Sequence, residues 1–156
     1  RLVPLSVASG ALLVVALAFW VAAALVLVWL FHAVRNVHAL GARAFPFTPG
    51  TAVLWWFIPF ANLVQIPRIV SATWRASNGS SAWRENETTP LVAIWWGSHL
   101  ASRLLGLLAY RAHSDSVAVP AVITLLSAVA GVSLASILDG IDAKQASAAA
   151  RFERMV

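Results

Sequence analysis

A chain of 156 residues that is 60% hydrophobic and only 11% charged lacks the polar surface to cover a water-exposed globule, since soluble domains are about a quarter charged. A net charge of +5 and a pI near 11.4 would suggest nucleic acid in a soluble domain, but multi-span membrane proteins concentrate Lys and Arg at the flanks of their spans. The absence of cysteine excludes disulfides, thiolate catalysis, iron–sulfur ligation and Cys-based zinc sites.

Residues 2–34 contain no Asp, Glu, Lys or Arg. The run is too long for a signal peptide and reads as a first span at about 3–31, where roughly 20 residues suffice to cross a bilayer core. The sequence opens on Arg1 rather than Met, so residues upstream are expected. A Phe-Pro-Phe-Thr-Pro-Gly breaker at 45–50 precedes a second span at 51–74. Pro59 and Pro67 free the carbonyls near Trp55 and Leu63, which predicts a kinked helix packed inside the bundle, with a re-entrant path as the alternative.

A polar loop at 75–89 ends in Thr89-Pro90, a helix start, and the third span follows at 91–110. A short loop around 113–116 leads to a fourth span at 117–138, which Asp139-Gly140 is expected to end. In the tail at 141–156, Ile141, Gln145, Ala148, Ala149 and Phe152 recur at helical spacing against Asp142, Lys144, Arg151 and Glu153. That pattern predicts an amphipathic interfacial helix. The expected fold is therefore an all-α integral membrane protein, with a four-span domain at 1–140 and a tail helix.

Tryptophans support this map. Trp29 with Trp55 and Trp56 would mark one membrane face, and Trp74 with Trp95 and Trp96 the other. Four spans put Arg1, Arg75, Arg84, Lys144, Arg151 and Arg154 on one side and Arg35, Arg43 and Arg111 on the other. That bias favours both termini inside, although the basic stretch after the first span opposes it.

The string Arg-Asn-Val-His-Ala-Leu-Gly-Ala-Arg from Arg35, then Thr-Pro-Gly, continues into Trp-Trp-Phe-Ile-Pro-Phe-Ala-Asn-Leu at 55–63 and Pro67. Trp-Arg-Ala-Ser at 74–77, Pro-Leu-Val at 90–92 and Trp95-Trp96 follow. These motifs resemble the family called domain of unknown function 4328, bacterial multi-pass membrane proteins. The resemblance implies a fold and a bacterial cytoplasmic membrane location, and no activity. Ten Arg against one Lys fits a GC-rich bacterial source.

Polar residues inside the spans are the candidates for function. In the third, Trp95, His99, Arg103 and Tyr110 fall roughly on one face; in the second, Asn62, Gln65 and Arg68 recur at every third position. A charge in hydrocarbon costs at least about 2.5–3.5 kcal/mol, and no Asp or Glu lies in any expected span. Arg68 and Arg103 then have three readings: snorkelling to the interface, hydrogen bonding to freed carbonyls, or binding an anionic guest such as a lipid phosphate. His32, Arg35 and Arg43, with Asn36, form a basic face expected to lie along headgroups.

Ser98, Ser102 and Gly106, and likewise Ser127, Gly131 and Ala135, recur every four residues and predict close packing of the third and fourth spans. His99 near mid-span admits contact with haem or quinone, but His32, His38 and His113 lie at other depths, so a packed His99 is the default. No nucleophile–base pair, phosphate loop, carboxylate pair or metal-ligand spacing occurs, which leans against an enzyme; no cofactor is expected.

The leading expectation is a non-catalytic accessory or binding protein that joins a larger membrane complex or binds lipid through Arg68 and Arg103. Alternatives are an oligomeric small-anion transport component and a redox-linked subunit using His99. Membrane lipids, a membrane-protein partner or a second copy are the expected partners, and nucleic acid is not.

Overall fold

The computed structural model describes residues 5–113 and 116–154, and every regular element among them is helical. Arg1, the expected start of the first span at residue 3, Asp115 and the last two residues of the tail lie outside the described residues. Five helices succeed one another in order: α1 (Leu5–Ala39), α2 (Pro49–Leu54), α3 (Ala61–Ala76), α4 (Leu91–Arg111) and α5 (Ala118–Glu153).

Helix α1 has 35 residues and α5 has 36. At 1.5 Å per residue each is roughly 50 Å long, well beyond a hydrocarbon core about 30 Å thick. Gly41, at φ +81°, ends α1 in a Schellman cap, with Ala42 N–H donating to the Val37 carbonyl and Gly41 N–H to that of His38. Thr48 opens α2 through a reciprocal capping box with Thr51, and Pro49 fills the first turn.

The expected second span is not one helix. A 3₁₀ turn at Trp55–Phe57 succeeds α2, Ile58 is extended before Pro59, and Phe60 takes φ +60°. Proline biases the residue before it away from helical geometry, so Pro59 breaks the path at Ile58. Helix α3, which begins after this break, is only 16 residues long and holds Asn62, Gln65, Arg68 and Arg75.

Both ends of this broken segment lie at the same end of the molecule. Trp83 donates its indole N–H to the Arg43 carbonyl at 2.9 Å, and Arg84 donates to the Ala44 carbonyl at 2.8 Å. The chain thus leaves one end of the bundle at residue 48 and returns there by residue 77, which corrects the expected crossing at 51–74. Three helical segments among the described residues are long and apolar enough to cross a membrane: Leu13–Ala39, α4 and α5.

The tail also differs from expectation. Asp139-Gly140 does not stop α5, which runs unbroken to Glu153, because a mid-helix glycine costs only about 1 kcal/mol and packing offsets it. Trp74 lies against Gly140 so closely that a Cβ there would sit 2.7 Å from Trp74 Cη2. Beyond it, Gln145 is buried and fully bonded. Its amide N donates to the Ala33 carbonyl at 3.0 Å and to Ser77 Oγ at 3.2 Å, and its oxygen accepts from Asn36 Nδ2 at 2.9 Å. One side chain of α5 thereby ties α1 to the end of α3.

Helix α1 is half shaft and half core. Leu30, Val34 and Val37 are fully buried, whereas Leu13, Leu17, Trp20 and Leu25 are each more than three-fifths exposed, as hydrocarbon-facing side chains are in the absence of lipid. After Phe31 the buried side chains Ala33, Val34 and Val37 pack against α3 and α5, while His32 and Arg35 stay exposed. Trp29 donates to Asp142 and Asn36 to Gln145, so α1 and α5 run in the same sense, with α4 antiparallel between them in sequence. The start of α1 and the end of α5 consequently lie at opposite ends, which corrects the expectation of both termini on one side.

Tryptophan placement changes with it. Trp95 is buried in a cluster with Ile66, Val70, Ile137 and Ile141, and Trp29, Trp55, Trp56, Trp74 and Trp96 all pack on that same cluster. The two expected belts are one belt.

Of the two small-residue stripes, one faces its partner. Ser102 of α4 is buried, and a Cβ on Gly106 would meet Ile123 at 3.7 Å. On α5 the buried positions are Ala130, Ser133 and Ile137, while Ser127, Gly131 and Ala135 are exposed.

Candidate functional site: an arginine groove at the tryptophan belt

Helix α3 buries Ile66, Ile69, Val70, Thr73 and Ala76 on one face. The adjacent face carries Gln65, Arg68, Ala72 and Arg75, spaced by three and four residues, with Ser71 beside them. These side chains floor a groove of about 620 Å³ whose walls are Phe47, Trp83 and Val92 and whose rim holds Thr88 and Thr89.

Trp83 is fixed by its bond to the Arg43 carbonyl and by Phe45, whose ring centroid lies 5.3 Å away. The Arg84 guanidinium sits 4.9 Å from the Trp83 ring centroid and that of Arg75 sits 5.7 Å away, within cation–π range. Asn86 donates to the Arg75 carbonyl at 2.7 Å, so the loop clamps the end of α3.

The electrostatics are one-sided. No Asp or Glu occurs among the described groove residues. Arg75 Nε is buried without a hydrogen-bond partner, and Arg68 makes no hydrogen bond or ion pair among the described residues. A desolvated donor without an acceptor is costly, and the Arg75 guanidinium meets the Trp83 ring face instead. Two guanidiniums, hydroxyls and an amide favour phosphate or carboxylate oxygens. Among the described residues no group of His, Asp and Glu stands close enough to hold a metal ion.

The groove lies at the belt of tryptophans, beside the segment whose residue pattern carried the family resemblance. A family model described as Domain of unknown function (DUF4328) matches residues 4–143. The chain belongs to this family. The DUF4328 match contains every groove residue, and no curated protein and no solved structure matches the chain.

Two sequence-predicted residues of this DUF4328 protein, Arg68 and Gln65, meet in the groove. Asn62 is half-buried one turn earlier, outside it. The carbonyl freed by Pro67 finds a partner: Trp96 donates its indole N–H to Leu63 O at 2.9 Å. His99 stacks on the same indole, with centroids 5.6 Å apart and planes 15° from parallel.

The expected face of α4 does not converge. Trp95 is core, Arg103 is exposed with its guanidinium 5.5 Å from the Phe19 ring of α1, and Tyr110 is 81% exposed near the far end. Arg68 and Arg103 therefore line no common path. His32 and Arg35 are exposed, and Arg43 is exposed while its carbonyl holds Trp83.

Sequence reasoning missed Arg75, Trp83, Thr88 and Thr89, having placed them in or at the edge of a solvated loop. One signal was available: Arg75 stands seven residues after Arg68, two helical turns along one face.

Proposed function

We propose that this DUF4328 protein is a non-catalytic, membrane-embedded binding protein that holds an anionic lipid headgroup at the cytoplasmic surface of a bacterial membrane. The observation that carries this reading is that Arg75 and an Arg68 with no partner among the described residues line one groove whose described lining holds no acid.

The distribution of bases supports the orientation. With three crossings, Arg35, Arg43, Arg68, Arg75, Arg84, Lys144, Arg151 and Arg154 gather at the end where α1, α3 and α5 meet. Arg111 flanks the other end and Arg103 lies within α4. The positive-inside rule then puts the groove in the cytoplasmic leaflet, where anionic headgroups attract bases by about 1 kcal/mol each. The exposed Phe57 and Phe60 at the turn before α3, with Leu63 and Val64 in its first turn, form an apolar tip suited to the same leaflet.

The test is purification of the full chain in mild detergent, followed by mass spectrometry of retained lipid. Wild type is expected to carry anionic lipid that an Arg68→Gln/Arg75→Gln variant has lost. Identical lipid content in the two would end the proposal.

A further inference from the structure

We infer that the groove selects a lipid bearing two phosphodiester groups on one short headgroup, the diphosphatidylglycerol class, over lipids with a single phosphate. This rests on the lipid-binding reading above and makes it specific. Arg68 and Arg75 stand two turns apart on one face of α3, with Cα positions separated by roughly 10 Å along the axis. Both line the same groove, together with Ser71 and Ala72.

A single phosphate carries about one negative charge and satisfies one guanidinium fork; the other arginine would stay unpaired in the groove. Two phosphates bridged by glycerol place two charges several ångströms apart, one for each arginine. Ser71 lies between the arginines on α3, while Thr88 and Thr89 on the rim offer hydroxyls to the remaining phosphate oxygens and the bridging hydroxyl.

Two further observations narrow the class. Headgroups with an ammonium need a carboxylate or an open ring face, and the groove residues include no acid while Trp83 is already taken by two arginines. Phe47 and Val92 line the walls, and exposed Leu63 and Val64 lie one to three turns before the arginines on α3. That apolar surface suits acyl chains, and basic pockets between membrane helices on the cytoplasmic side are suited to such headgroups.

The experiment is native mass spectrometry of the full chain in detergent, titrated with tetraoleoyl cardiolipin or dioleoyl phosphatidylglycerol at equal phosphate. Wild type is expected to bind cardiolipin at least tenfold more tightly. Arg68→Gln and Arg75→Gln are each expected to reduce that ratio to near one, while Arg35→Gln, outside the groove, keeps it. Arg68→Lys, which preserves charge on an exposed side chain, is expected to retain part of the preference.

Equal affinity for the two lipids, with binding lost in Arg75→Gln, would overturn the two-phosphate assignment and leave the lipid-binding reading intact. No preference for either lipid over phosphatidylcholine would overturn both. Glycerol 1,3-bisphosphate is expected not to displace cardiolipin at equal concentration; if it does, the groove serves a soluble anion and the lipid assignment falls.

Discussion

Trp83 donates its indole N–H to the carbonyl of Arg43 at 2.9 Å, joining two loops that are 40 residues apart in the chain. A helix crossing between them would hold those loops a bilayer apart. This bond, with its neighbour from Arg84 to Ala44, makes α2 and α3 a return path rather than a crossing. It also gathers the bases that floor the groove.

The topology is testable because the chain lacks cysteine. Ala39→Cys and Ser81→Cys, both at exposed positions, are expected to label from the same side of the membrane with an impermeant maleimide. Ala112→Cys is expected to label from the other. Opposite accessibility of residues 39 and 81 in sealed vesicles would restore a crossing between them.

Gly140→Ala is expected to destabilise the protein by about 1–3 kcal/mol, since its methyl would overpack against Trp74. Gly131→Ala, where nothing lies within 4 Å, is expected to be neutral or stabilising by up to about 1 kcal/mol. Thermal unfolding in detergent compares them; equal midpoints would contradict the Trp74 contact.

Trp96→Phe leaves the Leu63 carbonyl without a donor next to Pro67, at an expected cost of about 1–3 kcal/mol. Pro67→Ala restores a backbone N–H that reaches that carbonyl. The double variant is therefore expected to be more stable than the sum of the single changes implies. Simple additivity in the double-mutant cycle would show that the indole is not serving that carbonyl.

Gln145→Leu keeps the volume and removes bonds to Ala33, Asn36 and Ser77. A loss of about 1–3 kcal/mol is expected, with faster amide exchange where α1, α3 and α5 meet and little change along α4. Unchanged exchange at Ser77 and Ala33 would mean the three helices are held by apolar packing alone.

Long-range contacts separate what was readable from what was not. The apolar runs of α1, α4 and α5 were legible because burial in lipid demands local composition, and composition is written residue by residue. The same held for the helix start after Thr89-Pro90, though Pro90 takes the N-cap position without a side-chain capping bond, and for the carbonyl that Pro67 frees. The Asp139-Gly140 stop failed for the opposite reason, since a weak local breaker was outweighed by Trp74 packing on Gly140 and by the bonds Gln145 makes to Ala33, Asn36 and Ser77 across the bundle. The stripe at Ser127, Gly131 and Ala135 failed likewise, because spacing alone does not say which face of a helix meets its neighbour.

Sequence alone determined that this is an all-α chain with long apolar helices, a proline-disturbed path between 51 and 74, and two arginines in apolar stretches without acids. Tertiary structure decided that six of the eight tryptophans share one cluster, that 51–74 turns back, and that Arg75 rather than Arg103 is the companion of Arg68. The reason is physical: helix and span are set by neighbours within a few residues, whereas a return path is set by Trp83 finding Arg43 from 40 residues away.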